Sequence, residues 1–130
     1  MAFARVGGYL RDRGALFGSP APDVIQYRFE DRGLVSAVAM RALVTPAGTE
    51  WIAISVPLGP AAEFRVRAAL VANDELAIGA LADWQGLMLL RQTLPLLGLT
   101  FAQLDAIIHA LAHAAAQLAA TAGYVRVSAP

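Results

Sequence analysis

A strand that must stop at Leu94-Pro95-Leu96 and a helix that must start at Thr100 constrain this chain more than any other feature. Proline has no N–H for a sheet ladder and holds its own φ, so the strand ends there. Thr100 with Gln103 three residues on is a capping-box pair, and Leu99 with Leu104 stands at hydrophobic-staple spacing. Phe101, Leu104, Ile107, Ile108, Leu111, Ala115 and Leu118 then recur at helical spacing, and the helix is expected to end near Gly123. It is Ala-rich and almost uncharged. Such a helix needs a sheet to lie on. The hairpin before it, Ala77 to Asp83 and Leu87 to Leu94 across Asp83-Trp-Gln-Gly86, supplies two strands, with Gly86 available for positive φ.

Upstream, Phe3, Val6 and Leu10 mark a short amphipathic helix. Gly7 and Gly8 weaken it by about 1 kcal/mol each relative to Ala, so it needs docking. Gly18-Ser-Pro-Ala-Pro22 reads as a loop. Val24 to Glu30 alternates, with Ile25, Tyr27 and Phe29 on one face and Gln26, Arg28 and Glu30 on the other. Asp31-Arg-Gly33 has hairpin chemistry, Leu34 to Val44 is a longer strand, and Thr45-Pro-Ala-Gly48 turns into a third strand from Glu50 to Val56. Pro57 closes that strand and Gly59-Pro60 opens a second helix, ending near Asn73. Phe64, Ala68 and Val71 are its expected core stripe, widened by Val66 and Leu70, with Glu63, Arg65 and Arg67 outward. The order is α-βββ-α-ββ-α, an α+β fold with an antiparallel sheet flanked by helices, in a single domain over residues 1–130.

Composition narrows the function classes. Charged residues make up 15% of the chain, against about a quarter in an average globular protein, and hydrophobic ones 58%. All ten basic residues are Arg, balanced by ten carboxylates, so no electrostatic grip on nucleic acid or acidic lipid is expected. The absence of Cys excludes disulfides, thiolate nucleophiles and Cys-ligated zinc. The N-terminus lacks the pattern of a secretory leader, and the oiliest window, 106–120, is interrupted by His109, His113 and Gln117, so neither export nor membrane insertion is expected. A cytoplasmic protein is the expectation.

The order and punctuation resemble the fold shared by class I type III secretion chaperones and YbjN-like proteins. The residues that carry the likeness are Val56-Pro-Leu58, Leu70 to Asn73, Gly79 in the fourth strand, Gly86-Leu-Met-Leu-Leu90, Leu94-Pro-Leu96, and Leu104 to Leu118. The resemblance covers most of the chain and implies a small homodimer that binds an extended segment of another protein on apolar sheet and helix surfaces, without catalysis. Secretion chaperones are typically acidic, whereas charges balance here, which favours the broader YbjN-like group.

Asp105, His109, His113 and Gln117 follow one another at four-residue steps and share one stripe of the last helix. Such spacing can set both imidazoles on one metal. Neither a third strong ligand nor a Glu general base follows the first His, so the stripe reads as a solvated helix edge and no metal or cofactor is expected. Ser19, Ser36, Ser55 and Ser128 form no Gly-x-Ser-x-Gly elbow, and no glycine run has phosphate-loop spacing. Trp51 lies within an alternating strand and reads as core or sheet packing. Trp84, at a hairpin tip, either folds back over its own sheet or meets a partner. Met40 and Met88 read chiefly as core filling.

The chain therefore reads as a non-catalytic protein-binding module, a chaperone-like homodimer that takes an extended client segment on an apolar face and partly by strand addition at a sheet edge, with Leu70, Leu81, Trp84, Met88 and Leu90 of the second hairpin and adjoining helix at the partner or dimer interface. The physical argument is surplus apolar surface, a liability for a monomer. The alternative is a permanent structural subunit of a larger protein assembly. A small enzyme using Asp105, His109 and His113 is a third reading, weakened because one helix stripe cannot form a pocket alone.

Overall fold

The alternation along residues 24–30 survives into the folded chain: Ile25, Tyr27 and Phe29 are buried while Gln26, Arg28 and Glu30 are exposed. The computed structural model describes residues 1–13, 16–21 and 23–120, with side chains described outside 16–21 and up to residue 119. In chain order its elements are α1 (Phe3–Asp12), β1 (Leu16–Ala21), β2 (Val24–Asp31), β3 (Leu34–Val44), β4 (Glu50–Pro60), α2 (Val66–Glu75), β5 (Ala80–Trp84), β6 (Leu87–Pro95) and α3 (Phe101–Ala120). The strands form one sheet in the order β1-β2-β3-β4-β6-β5, antiparallel throughout. The expected α+β architecture is present, with helices first and last. The expected helix end near Gly123 and residue Pro22 lie outside the described residues.

The sheet has six strands where five were expected. Residues 16–21 pair with β2 in a broken register, with shifts either side of Gly18. A Gly-Ser-Pro-Ala run carries turn chemistry, and only the neighbouring edge of β2 draws it into a ladder. Pro20 sits on an outer strand, where a missing N–H is tolerated.

Two further boundaries move for one reason. β3 accompanies β4 only as far as Ala39 opposite Ser55, so from Val56 onward β4 is paired with β6 alone. Pro57 therefore does not end the strand. β4 continues through a register shift between Pro57 and Gly59 to Pro60, and a 3-10 turn at Ala61–Glu63 precedes α2.

The local signals at the turns hold. Arg32 and Gly33 (φ 49° and 85°) close the β2–β3 hairpin, and Gln85 and Gly86 (φ 51° and 84°) the β5–β6 hairpin, each as a two-residue turn with positive φ throughout. Thr100 Oγ1 accepts the Gln103 N–H at 3.1 Å and Gln103 Oε1 accepts the Thr100 N–H at 2.9 Å, completing the capping box.

One face of the sheet carries the core. Val38 and Met40 of β3, Ile52, Ile54 and Val56 of β4 and Leu90 of β6 meet Val6 and Leu10 of α1 and Leu104, Ile108 and Leu111 of α3. Gly79, just before β5, has φ 76°, and a Cβ there would lie 2.9 Å from Leu111 Cδ1. α1 is docked as expected, through Val6, Leu10 and a stack of Tyr9 on Phe101 with centroids 4.1 Å apart.

α2 is rotated from its expected orientation. Phe64, ahead of the helix, is buried with Met88 and Ala72, but the helix turns Ala69 and Ala72 inward and leaves Val66, Leu70 and Val71 exposed at 74%, 64% and 47%. Two alanines let its backbone approach the edge of β5, where Asn73 Oδ1 accepts the Leu81 N–H at 2.7 Å. With Asn73 and the two alanines toward β5, the larger side chains are turned out.

Candidate functional site

The pleat sends every second strand residue to the face opposite the helices, and there the side chains are of another kind. One register row crosses Gln26, Ala39, Ser55, Arg91 and Ala80 on five successive strands. Ala37, Ala53 and Ala82 occupy the same face by alternation. Among the described residues no helix covers it. Small residues leave a groove of about 280 Å³, with Pro57, Leu87 and Leu89 in its walls.

Trp84 spans this groove. It stands on the edge strand β5, yet the Arg41 guanidinium of β3 lies 5.7 Å from its ring centroid, across the two intervening strands β4 and β6. A cation over an indole face is an attractive contact worth about 0.5–1 kcal/mol where exposed. Trp84 thus folds back over its own sheet and still keeps 44% of its surface open. Arg91 brings a second guanidinium to the groove, and its Nε is buried without a hydrogen-bond partner. A buried N–H of this kind favours an acceptor arriving from outside.

The other residues expected at an interface separate by face. Leu90 is fully buried in the main core and Met88 is 8% exposed beside Phe64, so the folded chain does not present either on its surface; parity with Leu81 puts both on the helix side. Leu81 is half-buried and packs against both core clusters. Leu70 is open on α2, four residues from Val66. Met40 is core, and Trp51 is half-buried opposite Leu43 on the bare face.

Three members of the polar stripe of α3 fall into two separate sets of contacts. Asp105 is taken by α1: Tyr9 Oη donates to it at 2.5 Å and Arg13 Nη1 at 2.6 Å. His109 and His113 meet Asp31, at the end of β2, with Nε2 to Oδ2 distances of 3.0 and 2.7 Å. Hydrogen bonding from His113 foremost, and from His109, holds the Asp31 carboxyl below the usual carboxylate range, against the opposing effect of burial. Asp105 is therefore not part of an acid–base set with the histidines. Asp31 was missed in the sequence because it lies 78 residues from His109; its only local signal was turn chemistry.

No family model matches the chain, no curated protein matches it, and no solved structure matches it. Among the described residues, no helix is long and apolar enough to cross a membrane.

Proposed function

We propose that the chain is a non-catalytic, chaperone-like protein-binding module that works as a homodimer. The bare sheet face takes an extended segment of a client, and the open α2 row of Val66 and Leu70 is the contact between copies. The reading is carried by one observation: a sheet face floored with Ala and Ser and bridged by Trp84 and Arg41 has no helix over it among the described residues. An extended segment with apolar side chains fits a shallow trough of this kind, and a carboxylate on it would answer the unpartnered Arg91 Nε.

Binding on the face is favoured over strand addition. The Leu81 N–H, which points away from β6 at one sheet edge, is already held by Asn73. At the other edge β1 carries Pro20 and a broken register. Both are ways of blunting a strand edge. The resemblance to YbjN-like proteins, drawn from the order of elements, points to the same class of function.

Light scattering tests the dimer, and affinity recovery from native cells with mass spectrometry tests the client. A dimer at micromolar concentration is expected, with Val66→Glu and Leu70→Glu together giving a monomer. A monodisperse wild-type monomer would overturn the homodimer. A defined polypeptide should be recovered with the wild type and lost with Ala37→Glu; equal recovery by both rules out the sheet face as the site.

A further inference from the structure

The chain has only two histidines, and both converge on one carboxylate oxygen. Their donor atoms and that of Asp31 all lie within 4.8 Å of one another. Three independent constraints fix the cluster. His109 and His113 are four residues apart on the middle of a 20-residue helix, so their side chains share one face. Asp31 is held by the tight Arg32-Gly33 turn and points to that face by the same alternation that buries Phe29. Phe29 in turn meets both imidazoles edge to face, at 5.9 and 6.1 Å between centroids. Ring orientation is thereby set by a buried side chain rather than left to solvent, the support that a functional constellation needs.

We propose that Asp31, His109 and His113 form a three-ligand site for a divalent transition-metal ion, zinc by the character of its donors. Two imidazole nitrogens and one carboxylate oxygen suit zinc, whereas calcium and magnesium prefer oxygen-only shells. Donor atoms around a tetrahedral zinc stand roughly 3.3 Å apart at ordinary bond lengths. The separations of 2.7 and 3.0 Å from Asp31 Oδ2 lie close to that spacing, and the third, between the imidazoles, is at most 4.8 Å, so side-chain rotation on backbones already in place can bring the three donors to one ion. Side-chain exposures of 27%, 57% and 41% for Asp31, His109 and His113 give an ion a path from solvent. Three protein ligands leave a coordination position for water or for a donor from a bound molecule. The ion would tie the β2–β3 hairpin to α3, on the opposite side of the sheet from the groove, so the site stands independently of the client-binding reading.

The test uses the full chain, stripped with chelator and titrated with zinc chloride by calorimetry, with bound metal counted by elemental analysis after dialysis. One equivalent of zinc is expected, with a melting temperature that rises with zinc concentration. Asp31→Ala, His109→Ala and His113→Ala should each weaken binding by at least about tenfold, and the double histidine variant should keep its fold by circular dichroism while losing the zinc-dependent shift in melting. Retention of no zinc by the wild type would overturn the site. So would wild-type affinity in the folded double variant, or in Asp31→Ala, which would leave the carboxylate no role as a ligand.

Discussion

The two faces of this sheet are made by the same strands and have little else in common. On β3 the sequence Val38-Ala39-Met40-Arg41 steps from core to groove and back, and the inward pair is 1% and 0% exposed. Inward positions carry Val, Met, Ile and Leu against the helices; outward ones mix Ala, Ser, Pro, Trp and Arg with a few leucines, and among the described residues no helix lies above them. A sheet that only had to be stable would need polar side chains on its free side. Here the free side is instead small and apolar, with Ala53 and Leu89 buried among their neighbours and Trp84 and Arg41 spread above them.

The contrast is broken most decisively by paired substitutions. Leu90→Ala, on the covered face, should lower stability by about 2–5 kcal/mol in chemical denaturation, while Ala37→Glu, on the bare one, should change it by no more than about 0.5 kcal/mol. Comparable losses would mean that the bare face is also core. Gly79→Ala asks whether the covered face has slack. Its positive φ and the closeness of Leu111 and Leu90 predict a loss of about 1–3 kcal/mol. Removing the start signal of α3 with Thr100→Ala should cost about 1 kcal/mol, seen as a lower denaturation midpoint.

The smallest effect belongs to the polar rim where α1 meets α3. The hydrogen bond to Asp105, then burial and the charge of Asp105, hold the Tyr9 hydroxyl above its ordinary pKa of 10.0, while Arg13 acts the other way. A raised folded-state pKa means that this contribution is fully present below the unfolded value and is lost as pH climbs from about 10 through the folded value. Denaturation midpoints should therefore fall over that alkaline range in the wild type and fall less in Tyr9→Phe. Identical slopes would place the Tyr9–Asp105 contact outside the stability of the rim.

What was legible in the sequence was local. Thr100 and Gln103 are three residues apart and satisfy each other's backbone, so the start of α3 needs no tertiary information. The same is true of the two turns ending in Gly33 and Gly86 and of the alternation of β2. For α2, hydrophobic size is a poor guide to the inner face. Its contact with β5 is set by backbone approach, which favours Ala69 and Ala72, and by Asn73 reaching Leu81. β1 was missed because a strand recruited by its neighbour needs no propensity of its own. The histidines were visible as a pair, but the carboxylate completing the cluster comes from the far end of a hairpin, a distance only the register of β2 under α3 can close.

The side-chain cap on Leu81 has a consequence for how copies of this chain can gather. One border of the sheet has the Leu81 N–H capped by Asn73 and the other carries Pro20 and a broken register, so among the described residues each edge is a poorer template for a further strand. A molecule that meets another through its α2 ridge does so with side chains alone, Val66 and Leu70, and adds no strand to either sheet. The two edge features work against strand-by-strand stacking, the route by which an apolar sheet becomes a fibre.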